Sequence, residues 1–483
     1  MNLLQTYPQL KIIKEMALKK KCDVYLVGGF LRDSLLKKKK MDFDFALSHD
    51  GVAFARSLAR KMKGSYVLLD KERGCARVCK KEKGALFTYD FANFRAKTFK
   101  ADLKKRDFTI NTLAIHINTL TEEDSLESVL MISPQSKKDL YHKKVRMGSA
   151  KIFNEDPLRI LRAYSVKEQL NFKIEASTLS QMKKDKNRLV DVSSERIRDE
   201  LFKVLASHTC GVYLKQMDRD GILEMVLPQI RIMYNCKQGT YHHLDVWPHS
   251  LETVKQLDVL LEVYVKDPEL QDYLNESLAG ERKRLHIMRL AALFHDVGKP
   301  DTRLRKNGRI SFHGHEHVGK SIVREVSRML KLSTKERYVC EDIVRWHLRP
   351  GYLSNFKKPS DRAIYRYFRD TKDEAISILL VSLADQRSTC GVATTAYDQK
   401  HHEKICLTLI KRYIDQSKEK RVVPLIKGDD LIHVFNLKPS PLFGRIVAHI
   451  EEQQNLKKVS TKKEALALVR KFINKGSKNA KSS

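Results

Sequence analysis

Short apolar runs separated by polar and glycine positions dominate residues 1–148. Val24-Tyr25-Leu26-Val27 and Tyr66-Val67-Leu68-Leu69 are compact runs of β-branched, aromatic and aliphatic residues, and they predict strands. Met41-Asp42-Phe43-Asp44-Phe45 alternates at period two, which places Phe43 and Phe45 on one strand face and both carboxylates on the other. With helical segments and Gly turns between the runs, the region reads as an α/β unit. From Asp156 the period changes. Leu158, Ile160, Leu161 and Tyr164 continue toward Leu170, and Ile197, Leu201 and Leu205 recur at helix spacing, so the remainder is predicted to be helical. The polar, turn-rich segment from Cys236 to Pro248 marks a boundary near 235, and another falls near Thr395. The pattern divides the chain into 1–148, 149–235, 236–395, 396–475 and a small, polar, basic tail, 476–483, predicted to be disordered.

A chain of 483 residues and 56.0 kDa exceeds one compact core, in keeping with several domains. Its longest uncharged apolar stretch, Ala375 to Ala384, falls far short of the ~20 residues that span a bilayer. No basic region followed by an apolar one opens the sequence, and the eight cysteines are irregularly spaced, so the reading is a soluble protein with reduced, cytoplasmic thiols. Charge narrows the partner. Lys and Arg number 92 against 59 Asp and Glu, a net +33 spread along the chain, which suits a polyanion such as nucleic acid.

Candidate chemistry begins where a β run meets glycine. In Val24-Tyr-Leu-Val-Gly28-Gly29-Phe-Leu-Arg32-Asp33 the strand ends in two glycines, a helix starts, and Arg32 adds a fixed fork of donors, a geometry that favours phosphate. A Gly-Gly pair alone is an ordinary tight turn. Asp42 and Asp44 on one strand face change its meaning, because paired carboxylates repel unless a cation lies between them. Oxygen-only ligands suit Mg²⁺, which takes substrate phosphates as further ligands. Such an arrangement performs metal-assisted phosphoryl transfer. Asp90, in Phe87-Thr-Tyr-Asp90-Phe, reads equally as a third, basic carboxylate or as a structural acid. Asp156, Arg159 and Arg162 lie three apart around Pro157, a spacing that puts an acceptor and two donors on one helix face.

Leu26-Val-Gly-Gly-Phe-Leu-Arg-Asp-Ser-Leu-Leu36 with Asp42-x-Asp44 resembles the signature of class II CCA-adding enzymes (tRNA nucleotidyltransferases) and bacterial poly(A) polymerases. Lys105-Arg106-Asp107 with Asn111 resembles the family's ribose- and triphosphate-binding motif, with Lys105 in place of its first Arg. Glu155-Asp156-Pro-Leu-Arg159-Ile-Leu-Arg162 resembles the motif that reads the incoming base, and Ser194-Glu195-Arg-Ile-Arg198-Asp-Glu-Leu201 resembles the neck motif. The resemblance implies an α+β fold: an N-terminal nucleotidyltransferase palm of mixed sheet and helices, then all-helical neck, HD and C-terminal regions. It implies Asp42 and Asp44 as catalytic Mg²⁺ ligands, and Gly28, Gly29, Arg32, Asp33, Arg106, Asp107, Asn111, Asp156, Arg159 and Arg162 as nucleotide-binding residues. The C-terminal segment is looser, with Pro439-Ser440-Pro441 where the family commonly has Pro-Gly-Pro.

A second constellation follows. His249, the pair His295-Asp296 at the end of an apolar helix, His315, His347 and Asp385 resemble the HD phosphohydrolase superfamily, an all-helical fold. That resemblance implies His249, His295, Asp296 and Asp385 as ligands, with His315 and His347 completing a two-metal site; His313 and His317 carry no assigned role. Mixed His/Asp ligands suit Mn, Fe, Co, Ni or Zn better than Mg, and the associated chemistry is phosphoester hydrolysis.

The combined implication is template-independent addition of CCA, or part of it, to tRNA 3′ ends from CTP and ATP with release of pyrophosphate. Poly(A) addition and CC-only or A-only addition stay open beside it. So does a reading of another class, an HD phosphohydrolase acting on RNA or cyclic-phosphate ends. The partners so implied are tRNA or another RNA 3′ end, ATP and CTP, with no membrane or protein partner inferred.

Overall fold

The computed structural model describes residues 2–38, 41–82, 84–239, 242–264, 266–392, 394–418 and 423–479. Two compact units are present: Met1–Val204 with Arg219–Val226, and Leu205–Asp218 with Leu227–Ser483.

The first unit is built on a six-stranded mixed sheet of order β3-β4-β5-β2-β1-β6. Its strands are β1 (Val24–Val27), β2 (Asp42–Leu47), β3 (Ser65–Asp70), β4 (Cys75–Glu82), β5 (Ala85–Asn93) and β6 (Ala114–His116). β2 and β5 run parallel and the other pairings are antiparallel. Register explains the division of labour between faces. Phe43 stands opposite Tyr89 and Phe45 opposite Phe91, and both aromatic pairs stack, at 5.3 and 4.9 Å between centroids. All four rings are buried, each contributing about 1.5–3 kcal/mol by area. Because strand side chains alternate, the same register puts Asp42 opposite Thr88 and Asp44 opposite Asp90 on the other face. The period-two reading of residues 41–45 therefore describes the strand as it is. The unit continues into the helices Arg159–Leu170, Ala176–Asp185 and Ser194–Leu205.

The second unit is helical, with two short hairpins, Ser277–Ala279 with Arg282–Lys283, where Leu278 is buried, and the more exposed Leu304–Lys306 with Arg309–Ser311. At its centre the helix Ala375–Arg387 is buried from Ala375 to Ala384, so the most apolar stretch of the sequence is a core helix. Around it pack the helices Val246–Tyr264, Arg284–Phe294, Thr334–Trp346 and Ala396–Lys418, and His315–Met329 packs in turn against Thr334–Trp346. The last helix, Lys462–Asn479, runs into the segment expected as a disordered tail. A single glycine, Gly476, costs about 1 kcal/mol in a helix and does not stop it. Residues 480–483 of that tail lie outside the described residues.

Candidate functional site

The first site forms where β1, β2 and the segment after β5 converge. Gly28 has φ +78, a conformation open to glycine, and caps the helix Gly29–Leu35. A Cβ at Gly28 would lie 3.7 Å from Asp44 Oδ2 and 3.9 Å from an Arg106 terminal nitrogen, which places the glycine backbone, the carboxylate and the guanidinium around one space. Asp42 and Asp44 are exposed on this face. Thr88 donates its hydroxyl to Asp42.

Asp44 is open to water yet ringed by protein atoms and acids. Desolvation, then Asp90 and Asp42, push its pKa up to about 6 against the opposing pull of Arg106 and Arg162. That charge crowding fits a divalent cation: an ion between the carboxylates relieves the repulsion. Asp90 is held by a two-pronged Arg77, at 2.7 and 2.8 Å, and stands opposite Asp44 in the β2–β5 pairing.

Behind the open face runs a polar relay. Arg32, 3% exposed, donates to Asp33 at 2.8 Å and to Asn111 at 2.6 Å. Asn111 donates to Asp107 at 2.9 Å, Asp107 faces Arg162 at 3.5 Å, and Arg162 donates to Glu200 at 3.4 Å. Burial alone would raise Asp107, but Arg162, Asn111 and the Phe108 N–H outweigh it and hold its pKa below the usual range. Glu200 also accepts from Ser165 at 2.8 Å and Lys203 at 2.7 Å. Asp33, Arg32, Asp107 and Asn111 thus form a scaffold connecting the Gly-Gly turn to the helix Arg159–Leu170.

The anticipated base-reading trio is arranged differently from a single helix face. Asp156 precedes the helix, with extended backbone, accepts from Leu158 N–H at 3.3 Å and pairs with Arg196 at 2.8 Å. Arg159 is 6% exposed and turns inward, donating to the carbonyls of Lys105 at 2.8 Å and Ile152 at 3.3 Å. Arg162 keeps an open side chain, 42% exposed. Residue spacing alone does not say which side of a helix a neighbouring loop covers. Arg106 pairs with Asp102 at 3.0 Å. Arg196 and Glu200 were not singled out from sequence, although both lie in the Ser194–Leu201 motif.

The second site gathers all six residues anticipated for it. His249, His295 and Asp385 form one group and Asp296, His315 and His347 another, with donor atoms in each group within 4.8 Å of one another. Three histidines are fixed alike: Nδ1 of His295, His315 and His347 lies 2.8 Å from the carbonyl three residues back, of Ala292, Phe312 and Val344. Each Nδ1 therefore donates to a carbonyl, and each ring aims its Nε2 into the cluster. The His315 and His347 Nε2 atoms face each other at 3.3 Å, with His315 Nε2 also 3.3 Å from Asp296, a convergence of donor atoms that suits a cation. Beside them His249 Nδ1 is buried without a hydrogen-bond partner, while His249 Nε2 meets Asp385 at 2.9 Å.

Electrostatics set the rings apart. Burial disfavours charge on His295, but Asp296 and Asp385 outweigh it and push its pKa up to about 10; on His347 burial, His295 and His315 push it down to about 3. The donor set of imidazole nitrogen and carboxylate oxygen suits transition ions. His313 and His317 are exposed and stand outside the cluster.

Two neighbours escaped the sequence reading. Lys299 Nζ lies 2.6 Å from Asp296 and donates to Gln238 at 2.6 Å. His242 meets the His249 ring edge-on at 4.8 Å, and burial, then Lys299 and His249, hold its pKa down to about 3. Lys299 lies one turn after Asp296, in the same segment, whereas His242 comes from a separate segment that no local pattern ties to the cluster.

Comparison with known proteins follows the same division. Residues 24–135 match the poly A polymerase head domain, 171–233 the probable RNA and SrmB-binding site of polymerase A, and 246–390 the HD domain. An A-adding tRNA nucleotidyltransferase of Deinococcus radiodurans is 30% identical over 458 residues, 92% of this chain and 95% of that one. The chain belongs to the tRNA nucleotidyltransferase family. It is an enzyme of the nucleotidyltransferase class, and its head and HD domains imply divalent metal dependence. Within the family, a CC-adding enzyme of Thermus thermophilus is 28% identical over 461 residues, 92% of this chain and 93% of that one. Among solved structures, the Thermotoga maritima CCA-adding enzyme complexed with tRNA is similar with a TM-score of 0.60 at 19% identity, over 97% of this chain and 96% of that one. At that identity the likeness concerns the fold, a mixed sheet followed by helices. Among the described residues, no helix is long and apolar enough to cross a membrane.

Proposed function

We propose that this nucleotidyltransferase adds nucleotides of the CCA end to tRNA from CTP and ATP, working in the cytoplasm. The observation that carries the reading is the exposed Asp42 and Asp44 pair facing Gly28 and Arg106, backed by the relay to Arg162. Asp42 and Asp44 hold Mg²⁺, which when bound stabilises charge developing on the phosphates. Arg106 and the Gly28-Gly29 backbone cradle the triphosphate; Arg32, Asp33, Asp107 and Asn111 keep that cradle rigid, and Asp156, Arg159 and Arg162 shape the base pocket. The RNA 3′ oxygen bonds to the α-phosphorus, its proton leaves, the bond to the β-phosphate oxygen breaks and pyrophosphate departs.

We assign residues 1–148 to the catalytic head, 149–235 to the neck, 236–395 to the HD domain and 396–475 to the C-terminal body. Transcripts of tRNA ending at the discriminator base, at C and at CC, offered with CTP, ATP or both, resolve CCA, CC-only and A-only addition. ATP incorporation into unrelated RNA with no preference for tRNA ends would overturn the tRNA reading in favour of poly(A) addition. Asp42→Ala should abolish incorporation while fold and RNA binding persist.

The facing Nε2 atoms of His315 and His347 favour a second, hydrolytic activity at His249, His295, Asp296, His315, His347 and Asp385. A bound Mn, Fe, Co, Ni or Zn ion supplies Lewis acidity and lowers the pKa of water. Its substrate is a phosphoester at an RNA end: the oxygen of water bonds to phosphorus, the ester P–O bond breaks, and the departing oxygen takes a proton.

A further inference from the structure

The hairpin Leu304–Lys306 with Arg309–Ser311 is an exposed basic ribbon whose two ends are both anchored at the second metal centre. On one side it follows Lys299, which pairs with Asp296. On the other it runs through Phe312, whose carbonyl holds Nδ1 of His315 and whose ring lies 5.6 Å from Lys299 Nζ. Its turn, Asn307-Gly308, has φ of 50 and 77, the two positive values a tight two-residue hairpin requires.

The charge arrangement does not suit a hairpin meant only to connect helices. From Thr302 to His315 there is no acidic residue, while Arg303, Arg305, Lys306 and Arg309 are all exposed. Among the described residues none of these four takes part in an ion pair, in a unit where most arginines near the core are matched by carboxylates. Lys306 and Arg309 stand directly opposite each other in register, a like-charge pair that destabilises a ribbon unless an anion lies over it. On the same face, by strand alternation, are Leu304, 63% exposed, and the hydroxyl-bearing Ser311 directly opposite it. Two cations, a hydroxyl and an apolar surface match the phosphates and a base of a nucleotide chain.

We propose that this face of the hairpin docks the phosphate backbone of a single-stranded RNA 3′ end and delivers its terminal phosphate to the metal centre. The proposal rests on the hydrolytic reading and names its substrate class: an oligonucleotide, not a free nucleotide. Arg305, opposite Ile310 on the other face, is outside the docking surface.

The test uses full-length protein loaded with Mn²⁺ and compares wild type, Lys306→Gln/Arg309→Gln and Arg305→Gln, with thermal unfolding as the check on folding. Two substrates are assayed, a single-stranded oligoribonucleotide with a 3′ phosphate and p-nitrophenyl phosphate, and the oligonucleotide is also photo-cross-linked and mapped to peptides. In the double variant kcat/KM on the oligonucleotide should fall about tenfold and its log–log salt slope should flatten by roughly 1.4, two contacts' worth for single strands. Hydrolysis of p-nitrophenyl phosphate should stay within twofold, Arg305→Gln should resemble wild type, and cross-links to residues 304–311 should vanish only in the double variant. Equal losses on both substrates, equal effects from Arg305→Gln, or no wild-type cross-link to the hairpin would overturn the proposal. Displacement of the cross-link by an acidic peptide but not by RNA would do the same and assign the face to protein. If neither substrate is hydrolysed while the hairpin cross-link appears and depends on Lys306 and Arg309, the hydrolytic reading fails and the RNA docking face stands.

Discussion

At Gly298 the space for a side chain is already filled by backbone. A Cβ there would lie 2.2 Å from the His315 carbonyl oxygen and 2.6 Å from the Gly319 nitrogen, atoms no rotamer change can move away. Gly298→Ala must therefore push the His295-Asp296 turn off the helix that begins at His315, separating ligands from the two groups. Overpacking of this type costs about 1–3 kcal/mol, so the urea midpoint and the bound transition metal should fall together. Full metal content in that variant would show that the close approach does not set the ligand geometry. The same scale shows where sequence reading stops. Phe43 and Phe45 followed from alternation, because a pleated strand leaves no choice of face. Arg159 did not: its spacing from Arg162 was visible, but the carbonyls of Lys105 and Ile152 that turn it inward belong to other segments. His242 was hidden for the same reason.

Local chemistry at element ends decides where the helices of the first unit begin, and one cap is unusually well furnished. Glu175 precedes the helix Ala176–Asp185 and accepts from the Thr178 N–H at 3.0 Å, the Thr178 hydroxyl at 3.1 Å and the Ser177 hydroxyl at 2.6 Å. Desolvation opposes its charge, but these bonds outweigh it and pull the pKa down to about 2. A carboxyl whose folded pKa lies below its unfolded one stabilises fully above the unfolded value and loses that contribution as pH falls toward the folded value. Glu175→Ala should cost about 1 kcal/mol near neutrality, and the gap to wild type should narrow as pH falls from 6, by roughly two fifths at pH 3.5 and by most of its size near pH 2. A gap that stays constant over that range would mean packing, not the charged cap, carries the effect. Elements were otherwise readable where their pattern was local: β1 and β2 appear as such in the sequence, whereas Ala375 to Ala384 stands out only as an apolar stretch, buried on every side and so without a helical period. The hairpin at 304–311 was passed over inside a helical region, although Asn307-Gly308 is a strong local turn signal, because its short, charged strands carry no apolar alternation.

Over the whole chain, the two proposed metal sites fall in different compact units and offer different ligand types, oxygen only in the first and imidazole with carboxylate in the second. Hard and borderline ions sort accordingly, so the requirements should come apart. After chelation, Mg²⁺ alone should restore nucleotide addition, while thermal unfolding of the second unit should regain its full midpoint only with a transition ion. An ion present at a hundred times its Kd stabilises by about 2.7 kcal/mol, enough to move that transition measurably. His295→Ala should lose this metal-dependent increment and the metal itself while keeping nucleotide addition, and Asp42→Ala should show the reverse. The reasoning is physical: His295 reaches only the second cluster, and Asp42 only the face of β2 beside Gly28 and Asp44. If His295→Ala instead abolishes addition with the first unit still folded, the units are coupled, and occupancy of the second centre would have to be counted among the conditions for transfer.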